Sequence, residues 1–298
     1  MSKLKKTVFR GAATALITPF RNGEVDYISL SRLIDRQIAS GIDALVITGT
    51  TGESCTLNDG EHRSVLRFAL EKINGRVPAI AGTGSNDTDH ALYMSKYACE
   101  LGYDALLLVT PYYNKATPEG LIKSYTRIAD GTDKPIILYN VPTRTGCNIS
   151  TSVYRELAKH ERIVATKEAS GNVSAIAEVI AECGDSLDVY SGNDDQTLPI
   201  LALGGAGVIS VLSNLLPTQM KDICRLWFEG KWEQSREMQM KYLSLMKAMF
   251  CEVNPIPVKT AAAMMGLCTG ELRLPLCEPS EENKQKIARA LKSARLIT

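Results

Sequence analysis

The sequence has no surplus of charge: thirty-four Lys and Arg stand against thirty-three Asp and Glu, a net +1. That balance argues against a dedicated nucleic-acid or polyanion binder, which needs a basic excess to displace counterions. No apolar run approaches the roughly 18 residues that a membrane-crossing helix takes. Histidine is scarce, at positions 62, 90 and 160 only, and none of the eight cysteines is spaced C-x-x-C from another. A zinc ribbon or a thiol redox motif is therefore not expected. Also missing are a phosphate loop, a Gly-x-Ser-x-Gly elbow and a histidine pair at i, i+4. No Pro/Gly/Ser-rich linker, solenoid repeat or low-complexity run divides the chain.

What remains is an ordinary globular composition, 45% apolar and 22% charged over 298 residues. Met1–Arg10 is basic and Gly11–Thr18 fairly apolar, a faint outline of a signal peptide. The apolar stretch contains Thr14 and Thr18, however, and ends in Pro19-Phe20, with no small-x-small triplet after it. It reads as a basic tail feeding a first strand, in a cytoplasmic chain whose cysteines stay reduced.

Eight short apolar runs recur: Ala12–Ile17, Ala44–Thr48, Pro78–Ala81, Ala105–Val109, Pro135–Tyr139, Ile163–Thr166, Leu187–Tyr190 and Gly207–Val211. Each is apolar nearly throughout, as strands buried on both faces are. Between them lie amphipathic stretches such as Tyr27–Ser40, Asp59–Asn74, Asp87–Leu101 and Pro118–Ala129, several opened by cap-type residues: Asn58-Asp59, Asn86-Asp87 and Thr117-Pro118. Eight β-α alternations predict a (β/α)8 TIM barrel. An open doubly wound sheet is the alternative, but Gly82-Thr83-Gly84 lacks a third glycine and Gly204-Gly205-Ala206-Gly207 precedes a strand instead of following one. Past Leu212, helices are expected at Gln219–Glu229, Trp232–Phe250, Pro257–Met265 and Glu281–Leu296. This divides the chain into a barrel core over 1–215 and, over 216–298, the last barrel helix with a C-terminal helical extension.

Barrel chemistry sits at the carboxyl ends of the strands, and the unusual polar residues fall there. Lys167 follows the strand run Ile163–Thr166, on the same face as Ile163 and Ala165. An amine in an apolar barrel mouth loses charge and becomes a nucleophile toward carbonyls. The plain alternative is a lysine that snorkels to water or pairs with Glu168. Tyr139 ends the neighbouring strand, where a phenol beside a carbinolamine can pass protons both ways. Thr50 and Thr51 lie on a glycine-flanked turn whose N–H groups can approach a carboxylate. Tyr112 and Tyr113 are consecutive, so on a strand only one can face a pocket, leaving the other for a partner chain. Arg144 suits two-point recognition of a carboxylate. Lys259, a rival amine, starts a helix and is expected to be solvated.

Gly49-Thr50-Thr51-Gly52-Glu53-Ser54, Tyr139-Asn140-Val141-Pro142 and Lys167-Glu168, in this order and spacing, resemble the pyruvate-dependent class I aldolase family, the N-acetylneuraminate lyase and dihydrodipicolinate synthase group. The resemblance runs from about Phe9 to the C-terminus. Arg144-Thr145-Gly146 and Thr110-Pro111-Tyr112-Tyr113-Asn114 bring it nearer the synthase branch. It implies that Lys167 forms an imine with pyruvate and that the derived enamine attacks L-aspartate 4-semialdehyde, a step of lysine and diaminopimelate biosynthesis needing neither metal nor organic cofactor. It further implies that Tyr139, Thr50 and Tyr113 relay protons, Tyr113 from a neighbouring subunit, and that Thr51 holds the pyruvate carboxylate. Arg144 would receive the semialdehyde carboxylate, while Gly192 and Ile209 would line the pyruvate pocket. A homotetramer built as a dimer of dimers goes with this.

By the same resemblance, lysine-inhibited relatives bind lysine at positions matching Ser54, Cys55, Asp59, His62, Asn86, His90 and Tyr112. His90 stands where sensitive members offer an acid, so weak or absent inhibition is expected. Two other functions use the same barrel: a lyase releasing pyruvate from a sugar acid, which Lys167 and Tyr139 would serve equally, and a non-catalytic binder of a small acid. Arg144 speaks against the lyase, since a polyol tail needs hydroxyl partners and not a cation. The intact lysine, tyrosine and threonine set speaks against the silent binder.

Overall fold

The structure, a computed structural model, describes residues 5–298; the first four residues of the basic tail lie outside them. Eight strands close into a barrel in sequential order: β1 (Gly11–Ala15), β2 (Ala44–Ile47), β3 (Ala79–Gly82), β4 (Ala105–Val109), β5 (Ile136–Asn140), β6 (Ile163–Glu168), β7 (Asp188–Ser191) and β8 (Gly207–Ser210). A helix follows each: α1 (Tyr27–Ala39), α2 (Asp59–Ile73), α3 (Thr88–Leu101), α4 (Pro118–Asp130), α5 (Thr151–Leu157), α6 (Val173–Cys183), α7 (Thr197–Ala202) and α8 (Pro217–Phe228). Three more complete the chain: α9 (Trp232–Ala248), α10 (Ile256–Met264) and α11 (Glu281–Ser293). The eight apolar runs are thus the eight barrel strands, within one or two residues at each end.

The residues gather into two compact units. The first comprises the chain up to Gly11 together with Pro78–Ile209. Its strands β3 to β8 run parallel and are buried almost throughout. The chain before β1 is pinned to it: the Phe9 ring stacks on Tyr190 at 4.2 Å, and the Tyr190 hydroxyl donates to the Phe9 carbonyl at 2.6 Å. Lys5 Nζ donates to the carbonyls of His160 and Ile163, each at 2.7 Å. Gly207, at φ 152, admits no side chain, because a Cβ there would meet the Gly11 carbonyl oxygen at 1.8 Å.

Between β5 and β6 the register slips. Ile136 pairs with Ile163 but Ile137 with Ala165, so Val164 is an extra residue in a bulge. Beyond it Tyr139 pairs with Lys167 and Asn140 with Glu168.

The second unit comprises Ala12–Val77 and Ser210–Thr298. Here β1 and β2 pair in parallel, and a two-stranded antiparallel piece joins Phe20–Arg21 to Glu24–Val25. Asn58 and Glu61 form a capping box that starts α2, satisfying two helix-end donors at once. In the C-terminal region α8 packs on α9, and α11 packs on both α9 and α10. Among the described residues, no helix is long and apolar enough to cross a membrane. All eight cysteines are free thiols.

Candidate active site

Lys167 is held by β6 as its fifth residue, and its side chain is almost wholly inside, with 4% of the residue exposed. Its Nζ lies 4.2 Å from the centre of the Tyr139 ring, itself buried on β5. Burial lowers the Lys167 pKa to about 8; the Asp194 carboxylate opposes this and the Arg144 guanidinium reinforces it. Compared with an ordinary lysine, the neutral amine at pH 7 is enriched roughly 300-fold. The snorkelling alternative is excluded by burial, and pairing with Glu168 by alternation: Glu168 turns to the other face of β6. There it accepts from Asn140 Nδ2 at 3.0 Å, Ser170 Oγ at 2.9 Å and the Tyr154 hydroxyl. Burial raises the Glu168 pKa, and these three donors pull it back.

Gly192, just past β7, donates its N–H to the Glu168 carbonyl at 2.6 Å. A Cβ at Gly192 would sit 2.7 Å from Ala169 Cβ and 3.1 Å from Lys167 Cε, so the glycine leaves the space beside the amine open. Ile209 is buried on β8. Arg144 is exposed on the single helical turn Pro142–Thr145 that follows β5. Tyr112 and Tyr113 correct an expectation: β4 has ended at Val109, so strand alternation does not set them. Tyr113 stands in the left-handed region, at φ 72, and is 92% exposed, whereas Tyr112 is half-buried.

In the second unit, the residues after β2 form a one-turn helix, Thr50–Gly52. Thr51 is buried, and its Oγ1 accepts from Asn254 Nδ2 at 2.9 Å. Thr50 is half-buried. Lys259 is the second correction. It lies inside α10 with its side chain fully buried, paired with Glu53 at 2.6 Å. The helix face carrying it is covered, so the expected solvation is absent.

The residues matched to lysine binding divide between the units. Ser54, Cys55, Asp59 and His62 belong to the second, where only His62 is buried, its Nε2 2.9 Å from Thr48 Oγ1. Asn86, His90 and Tyr112 belong to the first; the Asn86 carbonyl accepts from Asn114 Nδ2 at 2.9 Å. Among the described residues, no group of three or more His, Cys, Asp or Glu is placed to hold a metal ion.

Asp194, Glu53 and Asn254 join the candidate residues only with the structure. Asp194 had a visible signal, since Asn193-Asp194-Asp195 follows a strand end. The other two sit in a loop after β2 and in a proline-rich segment, and only folding brings the two segments together.

The model of the dihydrodipicolinate synthetase family matches residues 8–294. A 4-hydroxy-tetrahydrodipicolinate synthase of Acetivibrio thermocellus is 48% identical over 99% of this chain and 100% of its own. One from Geobacter sulfurreducens is 50% identical over 97% of this chain and 100% of its own. Among solved structures, a dihydrodipicolinate synthase from Aquifex aeolicus superposes with a TM-score of 0.95 at 46% identity, covering 97% of this chain and 99% of that one. These relatives carry the synthase name and not that of a sugar-acid lyase. An amine made nucleophilic by burial beside a tyrosine is what an imine-forming barrel enzyme needs, and by sequence and fold alike this chain belongs to the dihydrodipicolinate synthetase family.

Proposed function

We infer that this enzyme condenses pyruvate with L-aspartate 4-semialdehyde, the 4-hydroxy-tetrahydrodipicolinate synthase reaction. The observation that carries the reading is the buried Lys167 amine, its pKa lowered to about 8, set over the ring of Tyr139. The neutral amine adds to the pyruvate ketone, and the carbinolamine loses its hydroxyl as water to give an imine. A methyl proton then leaves, and the electron pair it releases makes the enamine. The enamine carbon bonds to the aldehyde carbon of the semialdehyde, whose oxygen takes up a proton. Finally the semialdehyde's amino group adds to the imine carbon and expels Lys167, closing the ring.

Residue roles follow from this chemistry and from the resemblance. Tyr139, Thr50 and Tyr113 move the protons, with Tyr113 reaching a neighbouring subunit's site. Thr51 holds the pyruvate carboxylate, and Gly192 and Ile209 shape the space around pyruvate. Arg144 receives the carboxylate of the second substrate. A relay completed across subunits calls for at least a dimer, and a dimer of dimers is the assembly proposed. Eight free thiols suit a reducing cytoplasm.

The test is condensation coupled to a dihydrodipicolinate reductase, read as nicotinamide oxidation, alongside borohydride trapping of pyruvate. Turnover with trapping at Lys167 establishes the reaction. Trapping without turnover moves the reaction to a sugar-acid lyase, and neither result leaves only a binder.

A further inference from the structure

Glu53 and Lys259 form an ion pair sealed from water, with side chains 1% and 0% exposed and an Nζ–Oε1 distance of 2.6 Å. Such a pair is a costly way to fill an interior, because both charges give up hydration that their attraction only partly returns. What it supplies is direction. Glu53 stands in the left-handed region, at φ 54, immediately after the turn that carries Thr50 and Thr51. Its second oxygen accepts from the Arg273 N–H at 3.2 Å, so both ends of the carboxylate are fixed.

The turn is held at three successive residues. Asn254 donates to Thr51 Oγ1 at 2.9 Å. Thr18 Oγ1 donates to the Gly52 carbonyl at 2.7 Å, and Lys259 in turn donates to the Thr18 carbonyl at 2.9 Å. Lys259 grips Glu53 directly, and its ammonium also lies 4.2 Å from the centre of the Phe20 ring. Asn254 and Lys259 come from one short stretch of chain around the start of α10. The Asn254 amide also selects a hydroxyl orientation: because it donates to Thr51, the threonine's own proton is left for an acceptor such as a carboxylate.

We propose that Lys259, acting through Glu53, is a positioning residue for the first substrate: it holds the Thr50–Thr51 turn in the shape that receives the pyruvate carboxylate. Lys259 touches no substrate. The proposal rests on the role given to Thr51 above.

The experiment is a pyruvate titration of borohydride trapping, with steady-state kinetics, on the parent, Lys259→Met and Glu53→Gln. Folding is monitored by circular dichroism, and trapping stoichiometry by intact mass. Both variants are expected to trap pyruvate fully at saturation, with half-saturation raised tenfold or more for Lys259→Met and fivefold or more for Glu53→Gln. The KM for the semialdehyde stays within twofold. A loss of folding alone would instead lower the trapped stoichiometry and kcat together, at unchanged half-saturation, and that result overturns the proposal. So does a folded variant whose half-saturation stays within twofold of the parent. Glu53→Gln is isosteric and decides the matter if Lys259→Met is insoluble. Failure of the parent to trap pyruvate would overturn the reaction itself, a separate outcome.

Discussion

Asn140 and Glu168 are hydrogen-bonded partners, Nδ2 to Oε1 at 3.0 Å, at the same register of β5 and β6 one residue beyond Tyr139 and Lys167. Alternation sends this pair to the outer face while the tyrosine and lysine occupy the inner one. The polar pair therefore ties together, from behind, the two strands that carry Tyr139 and Lys167. Tyr154 completes the tie, its hydroxyl bound to Glu168 and 2.9 Å from Thr166 Oγ1. Tyr154→Phe leaves a buried carboxylate one donor short and is expected to lower stability by about 1–3 kcal/mol. Urea unfolding measures it, and a loss under about 0.5 kcal/mol would show that the tie contributes little.

Trapping of pyruvate follows the neutral fraction of Lys167. Its rate is expected to rise about tenfold per pH unit well below 8 and to level off above it. The Asp194 carboxylate favours the charged amine, so Asp194→Asn moves the inflection to lower pH. Arg144 disfavours it, so Arg144→Ala moves the inflection upward. Stopped-time trapping across pH 6 to 10 reads both shifts; movement in the opposite direction for either variant contradicts the assignment.

Gly192→Ala places a methyl group 2.7 Å from Ala169 Cβ and 3.1 Å from Lys167 Cε. Overpacking of this kind costs about 1–3 kcal/mol. It also crowds the amine, so imine formation is expected to slow at least tenfold while the protein still folds. Thermal unfolding and trapping rates separate the two effects. A variant trapping at the parental rate would show that the space beside Lys167 is not needed.

Tyr113 can serve a neighbour's site only if inactive chains rescue each other. Lys167→Ala and Tyr113→Phe are each expected to lose most activity. Co-refolded in equal amounts, they should recover about a quarter of the parental rate, from the one intact site in each mixed dimer of a symmetric pair. No recovery, with mixed assemblies confirmed by native mass spectrometry, would place Tyr113 in its own chain's site.

L-Lysine is expected to bind weakly or not at all, since by the family resemblance His90 replaces the acid proposed to meet the amine. Isothermal titration calorimetry checks this. Tight binding would mean that another acid serves, with the exposed Asp59 the first to replace.

The strands were legible because they depend on local order. Continuous apolar runs name buried strands, and the first polar residues after them supply the candidates for a site. Lys259 was misread for the opposite reason. At the start of a helix in a polar neighbourhood a lysine is ordinarily solvated, and only the return of α10 against Glu53, over two hundred residues earlier, buries it. Strand alternation leaves open whether Tyr112 or Tyr113 faces outward; Tyr113 is the exposed one, on a left-handed backbone that its sequence does not announce. Asp194 was visible as a residue and invisible as a neighbour, since which acid faces an amine depends on barrel closure.

The extra residue Val164 has a consequence for anyone rebuilding this chemistry on an idealised scaffold. In a regular ladder continued from Ile136 and Ile163, Tyr139 would face Thr166, and the amine would fall opposite Asn140. A designer who copied the lysine and the tyrosine onto evenly matched strands would transplant both groups and still lose the reaction by one step of phase. The irregularity belongs to the blueprint as much as the residues do.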